Sequence, residues 1–139
     1  MAFDPRPLPH RVVIPSDLRA ARQIEEQIIR KAEERGYSPH CAFAIRLALE
    51  EAMVNAHKHG NGGDPRKQIA VSYEVGRKRT VVRVCDQGRG FDPRMVPDPT
   101  APERISLPNG RGIMLMRAYL DEVVFNEQGN EVQLVKEKS

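Results

Sequence analysis

The amino-acid sequence predicts an α/β fold. Three observations carry that prediction: two stretches with helical caps and helical spacing, a pair of β-rich segments joined by a short glycine-containing connection, and two further strand-like segments that close the chain. At 139 residues the chain is the length of one ordinary domain, enough to bury a single core without disulfides or a structural metal. One domain over residues 1–139 is expected. Hydrophobic residues at 40% and charged residues at 29% exclude a disordered chain. No apolar run approaches the roughly 18 residues of a membrane span, so no membrane partner is expected.

Taken in order, the first ten residues contain three prolines and read as an extended or frayed lead-in. RVVIP fits a short strand. Ser16 or Asp17 then caps a helix whose apolar positions Leu18, Ala21, Ile24, Ile28 and Ala32 recur every three or four residues until Gly36. Ser38-Pro39, a capping serine with proline at the first helical position, opens a second helix running to about Gly60. After NGGDP come QIAVSYEV and TVVRVCD, whose GRKR connection fits an antiparallel hairpin. Residues 91–109 hold five prolines and no steady period. A loop this long in a compact domain is more often functional than accidental, which makes 92–109 a candidate lid. A short helix over RGIMLMRAYL and the strands EVVFN and EVQLVKE complete the chain.

Composition excludes several function classes. The N-terminus MAFDPRPLPHRVVIPSD has no basic region followed by an apolar core, so no secretory signal is read and a cytoplasmic location is expected. Cys41 and Cys85, the only cysteines, each sit in an apolar run and read as reduced core residues rather than a disulfide or metal pair. The net charge of +3 comes from 22 basic residues interspersed with 19 acidic ones. That excess is too small and scattered for direct nucleic-acid binding; it suits an acidic protein or an anionic small ligand.

The second helix contains 47-LALEEAMVNAHKHGN-61, largely apolar yet carrying two glutamates, an asparagine and two histidines. At about 100° per residue, Arg46, Glu50 and His57 fall within roughly 40° of one another and define a solvent stripe. Glu51 and Asn55, four apart, share the opposite, apolar side. Unpaired polar groups there would cost several kcal/mol each, so either the fold satisfies them internally or they line a cleft holding a polar ligand. Ala44, Ala48 and Ala52 favour the cleft by leaving room beside the helix. His57 and His59 are two apart and diverge, unlike a zinc-binding helix.

Two glycine turns follow. The strand VVRVC runs into Asp86-x-Gly88-x-Gly90, an acid at a strand end with two residues lacking Cβ, a turn that lets backbone approach a ligand closely. Gly110-x-Gly112 opens a helix, where free N–H groups and the helix dipole favour phosphate. Neither pair completes G-x-G-x-x-G, because Pro93 and Leu115 occupy the third positions, and no G-x-x-x-x-G-K-[ST] is present. Rossmann and P-loop folds are excluded, as are eukaryotic-type kinases, which carry H-R-D and D-F-G segments.

The ordered trio Glu51-x-x-x-Asn55, Asp86-x-Gly88-x-Gly90 and Gly110-x-Gly112 resembles the ATP-binding domain of the GHKL superfamily from about residue 38 onward. Within it, EEAMVNAHKHG, DQGRGFDP and GRGIMLMRAYLDEV look most like the serine-protein kinase anti-sigma factors. The resemblance implies the Bergerat fold, a two-layer α/β sandwich with a mostly antiparallel mixed sheet covered on one face by helices. By the same resemblance Asn55 holds Mg²⁺, Glu51 is the general base and Asp86 hydrogen-bonds the adenine amino group. Gly88 and Gly90 admit base and ribose, backbone at Gly110 and Gly112 meets the phosphates, and 92–109 is the ATP lid. Arg104 and Arg111 are candidates for γ-phosphate or substrate contact, with solvated surface arginine as the alternative. The implied function is an ATP-dependent protein serine/threonine kinase that sequesters a sigma factor and phosphorylates an anti-sigma factor antagonist, as a homodimer formed partly through the first 37 residues. The competing reading is a protein-binding module switched by nucleotide without phosphotransfer.

Overall fold

The computed structural model describes residues 3–88 and 110–139. Strand β1 is His10–Pro15, followed by helices α1 (Leu18–Glu34) and α2 (Pro39–Val54) and a π-helical turn, Asn55–Gly60. Strands β2 (Gln68–Val75) and β3 (Arg79–Cys85), helix α3 (Gly110–Tyr119), and strands β4 (Glu122–Phe125) and β5 (Glu131–Glu137) complete the described order. The five strands form one sheet in the order β1-β2-β3-β5-β4. Every pairing among them is antiparallel, so the mixed component expected of the sheet is not found among the described residues.

Each helix begins where its local chemistry allows. Asp17, not Ser16, caps α1, its carboxylate accepting the Ala20 N–H at 2.7 Å. Gly36, at φ +83°, ends α1 in the left-handed region. There the Tyr37 N–H returns to the Ala32 carbonyl and the Gly36 N–H to that of Glu33, each at 3.0 Å, a Schellman closure. Ser38 Oγ accepts the Cys41 N–H at 3.1 Å, with Pro39 opening α2.

One sheet face packs against the helices. Alternation along β2 sends Ile69, Val71, Tyr73 and Val75 inward, where they join Val82, Val84, Val132 and Leu134 beneath Ile24, Ile28, Leu49, Met53, Ile113 and Met116. Fully enclosed side chains such as Ile28 contribute about 1.5–3 kcal/mol each. The lead-in lies against the opposite face rather than fraying. Arg83, buried on that face, donates to Gln133 Oε1 at 3.0 Å and to the Arg6 carbonyl, and its guanidinium lies 5.5 Å from the centre of the Phe3 ring.

Cys41 is buried in the core as expected, whereas Cys85 is only half-buried, at the end of β3. Of the small-residue stripe, Ala44 and Ala48 are packed into the interior at 1% exposure each, while Ala52 lines the cavity described below. No helix among the described residues is long and apolar enough to cross a membrane.

One acid is enclosed between α1 and α2. Glu25 is 5% exposed, and its carboxyl is pushed up to about 7 by burial first and by the Glu50 carboxylate second, against the pull of Arg22 and Arg46. The folded state therefore holds the Glu25 proton to higher pH than the unfolded chain does, and stability falls as pH rises from about 4.5 to about 7. Glu25→Gln removes that decline. Thermal unfolding should show the variant and the parent within about 1 °C at pH 4.5 and the variant higher by at least about 3 °C at pH 8.

Candidate functional site

The end of α2 departs from regular helix. From Asn55 to Gly60 the turn widens to a π-helix, and the Asn61 N–H closes onto the Ala56 carbonyl at 2.8 Å. Single π turns inside helices recur at functional sites because the extra residue re-aims the side chains around it. Here it turns His57 away from the solvent stripe that ideal helical spacing assigned to it. His57 is half-buried, with Nδ1 2.9 Å from Ser16 Oγ, while His59, two residues on, lines a cavity.

That cavity, about 510 Å³, lies between the π turn, the end of β3, Met116 of α3 and the loop between β4 and β5. Asn55, Ala52 and Gly60 form one wall, Asp86, Gln87 and Gly88 another, and Gly129, Asn130 and Glu131 a third. The β4–β5 wall is preset by Asn126, whose Oδ1 accepts from the N–H groups of Gly129, Asn130 and Glu131 at 2.8, 3.1 and 3.2 Å. The Asn130 carbonyl in turn receives the Asp86 N–H at 2.9 Å. Asp86 is thereby fixed at its backbone, and its Oδ1 accepts the Gly88 N–H at 2.7 Å. Burial raises the Asp86 carboxyl above the usual carboxylate range, opposed by the Gly88 N–H and by Lys67.

Glu51 and Asn55 do share a face, and its surroundings decide between the two readings of the helix. Both are half-buried, and neither side chain has a hydrogen-bond or ion-pair partner among the described residues. Among the described residues nothing satisfies the pair internally, and Asn55 lines the cavity. A Cβ on Gly112 would lie 2.9 Å from Glu51 Oε2 and 3.2 Å from Asn55 Nδ2, so the start of α3 closes directly over this pair. Asn55 also lines the cavity; Glu51, one turn earlier, lies at its α3 edge.

The sequence-predicted residues are thus divided as follows. Asn55, Asp86 and Gly88 meet at the cavity, and Glu51 and Gly112 meet beside it. Gly110 and Arg111 form the first turn of α3, with Arg111 exposed. Gly90, Arg104 and the lid 92–109 lie outside the described residues. Gly88 was expected to admit a ligand, but the chain itself makes the close approach: a Cβ there would collide with the Gly60 carbonyl oxygen. A Cβ on Gly60 would collide with the Asp86 carboxylate. Sequence reasoning passed over Gly60, Asn61 and Lys67 as site residues; the glycine-rich run HGNGG was the only signal for the first two, and Lys67 had none.

The family follows from the comparison of this chain with known proteins. A family model described as Histidine kinase-like ATPase domain matches residues 14–136. The chain belongs to that family, the GHKL class of ATPases and kinases, in its serine-protein kinase anti-sigma factor branch. It is 30% identical over 112 residues to Serine-protein kinase RsbW of Bacillus licheniformis, covering 76% of this chain and 70% of that protein. It is 28% identical over 115 residues to the protein of the same name from Listeria innocua serovar 6a, covering 76% and 71%. The crystal structure of the RsbU and RsbW domains of Rv1364c from Mycobacterium tuberculosis shares the fold with a TM-score of 0.62 at 18% identity, over 93% of this chain and 31% of that one.

The two glycine contacts differ in what would have to move. At Gly88 the obstacle is backbone; at Gly112 it is the ends of two flexible side chains. Gly88→Ala should lower stability by about 2 kcal/mol or more and reduce ATP affinity at least about tenfold. Gly112→Ala should stay within about 1 kcal/mol of the parent while displacing Glu51. Thermal unfolding with nucleotide titration checks both.

Proposed function

We propose that this chain is an ATP-dependent protein serine/threonine kinase of the anti-sigma factor type, which binds Mg-ATP, phosphorylates an anti-sigma factor antagonist and sequesters a sigma factor. The observation that carries this reading is the pair Glu51 and Asn55, without partners among the described residues, on one helical face beside a cavity whose opposite wall presents Asp86. Membership of a family whose members include proteins named serine-protein kinases supports it.

In this reading the Asp86 carboxylate accepts a hydrogen bond from the adenine amino group, and Gly88 keeps the turn low enough for the base to lie against it. The phosphates extend toward Asn55 and the first turn of α3, where backbone N–H groups of Gly110, Arg111 and Gly112 have no intrahelical acceptor and the helix dipole favours negative charge. Asn55 offers a side-chain oxygen without a competing partner among the described residues, and Mg²⁺, which keeps several water and phosphate ligands, needs few protein oxygens. When bound, the cation neutralises charge that builds up on the phosphates. Glu51 orients the incoming serine or threonine hydroxyl and accepts its proton. Its place at the α3 edge suits that role, because a protein substrate must reach it from outside. Gly90 and the lid 92–109 belong to the same nucleotide site. A homodimer built through the first 37 residues, a single domain over 1–139 and a cytoplasmic location complete the proposal.

Incubation with Mg·[γ-³²P]ATP and antagonist proteins of this family checks the chemistry. The parent should place label on an antagonist serine or threonine. Glu51→Ala should bind ATP within about threefold of the parent but transfer at least about 100-fold more slowly, and Asn55→Ala should lose magnesium-dependent binding. Undiminished transfer by Glu51→Ala removes the assigned base, and nucleotide binding with no transfer by the parent favours a nucleotide-switched binding module.

A further inference from the structure

At the wall of the cavity, where Asn61 and Gln87 are lining residues, lies a buried polar cluster that the chemistry above does not use. Asn61 is 1% exposed and Ser16 is fully buried. Asn61 Nδ2 donates to Ser16 Oγ and to the Gln68 carbonyl, each at 3.0 Å. On its other side Asn61 Oδ1 accepts the Gln87 N–H at 2.8 Å. The Gln87 side chain returns to the same place, its Oε1 accepting the Gln68 N–H at 2.7 Å. Ser16 Oγ, already an acceptor from Asn61, has its own proton to give to His57 Nδ1, 2.9 Å away. One carboxamide thus uses both donors and its acceptor to join the β1–α1 junction, the start of β2 and the turn that carries Asp86.

The turn has few other holds. On one side the Asn130 carbonyl takes the Asp86 N–H; on the other, the only hydrogen bond from the π-turn region to the turn backbone among the described residues is the one from Gln87 to Asn61. Between these anchors the Asp86 carboxylate is wedged against Gly60 with its Oδ1 on the Gly88 N–H. A carboxylate held in one position can require a donor at one position on a base edge. If the turn swings, the acid can follow whichever edge is offered, and discrimination between an amino and a carbonyl group is lost.

Resting on the nucleotide reading above, we propose that Asn61 is the positioning residue that sets base specificity, clamping the Asp86–Gly88 turn so that the site accepts an adenine amino edge and rejects a guanine carbonyl edge. Asn61 touches no nucleotide in this scheme; it acts through Gln87 and Asp86. Its two halves have separable duties. The acceptor Oδ1 holds the turn, and the donor Nδ2 holds Ser16 and β2, which is structural.

Titration of fluorescent ATP and GTP analogues against the parent, Asn61→Ala, Asn61→Asp and Ser16→Ala separates these duties, with thermal unfolding run on each. The parent should prefer ATP by at least about 100-fold. Asn61→Ala, which removes both halves, should narrow that ratio at least about tenfold. Asn61→Asp keeps an oxygen for the Gln87 N–H and loses the donors, and Ser16→Ala loses only a partner of the donors. Both should be destabilised yet keep the ratio within about threefold. A ratio that follows stability across all three variants, or one unchanged in folded Asn61→Ala, overturns the assignment while leaving the nucleotide site intact. A parent that binds neither nucleotide overturns the site and the assignment together. Hydrogen exchange on the parent needs no variant: without nucleotide the Gln87 amide should exchange at least about tenfold more slowly than that of Gly62, and equal rates would overturn the clamp.

Discussion

The structure depends on one contact between backbones. Gly60 at the end of the π turn lies so close to the Asp86–Gly88 turn that neither glycine can carry a Cβ: one would strike the Asp86 carboxylate, the other the Gly60 carbonyl. This contact brings the last turn of the α2 segment to the end of β3. Because the contact excludes side chains, it also leaves the volume in front of it open. The cavity is therefore a product of how the chain must pack around two residues without side chains.

Around that contact the site is preassembled by hydrogen bonds that need no ligand. Asn126 shapes the β4–β5 loop, the loop holds the Asp86 backbone, and Asn61 holds the following residue from the other side. Each is an asparagine using several of its hydrogen-bonding atoms. Against this fixed frame Glu51 and Asn55 stand without partners among the described residues. An unpaired half-buried polar group costs about 1–3 kcal/mol, and a fold that satisfies its asparagines so fully elsewhere tolerates that cost where a ligand recovers it.

Much of this was legible from local signals. The Ser38-Pro39 start of α2, the glycine end of α1 and the β2–β3 hairpin are written in neighbouring residues, and the structure has them where sequence reading put them. The common face of Glu51 and Asn55 followed from helical periodicity, which holds as far as Val54. Beyond it the projection failed. His57 was assigned to solvent because ideal spacing was carried through a turn that is wider than ideal, and its partner Ser16 is 41 residues away. Asn61 was missed for a similar reason, since all its side-chain partners lie in other elements. Where the lead-in rests was not legible, because three prolines argue for an extended chain but do not say that Arg83, on the far face of the sheet, will hold it.

 

Cys85, half-buried at the end of β3 and one residue from Asp86, occupies a position that would ordinarily suggest a site vulnerable to oxidation. Cys85 pairs with Glu131 of β5 across the sheet. Its surroundings argue the other way. Burial, with the Glu131 and Asp86 carboxylates beside it, pushes the Cys85 thiol up to about 11. Only the thiolate reacts readily with peroxides and alkylating reagents, and at neutral pH that form is about one molecule in ten thousand. The same acidic, half-dry corner that raises the Asp86 carboxyl therefore shields its sulfur neighbour, and the protein can keep a cysteine beside its binding cavity without becoming a redox sensor.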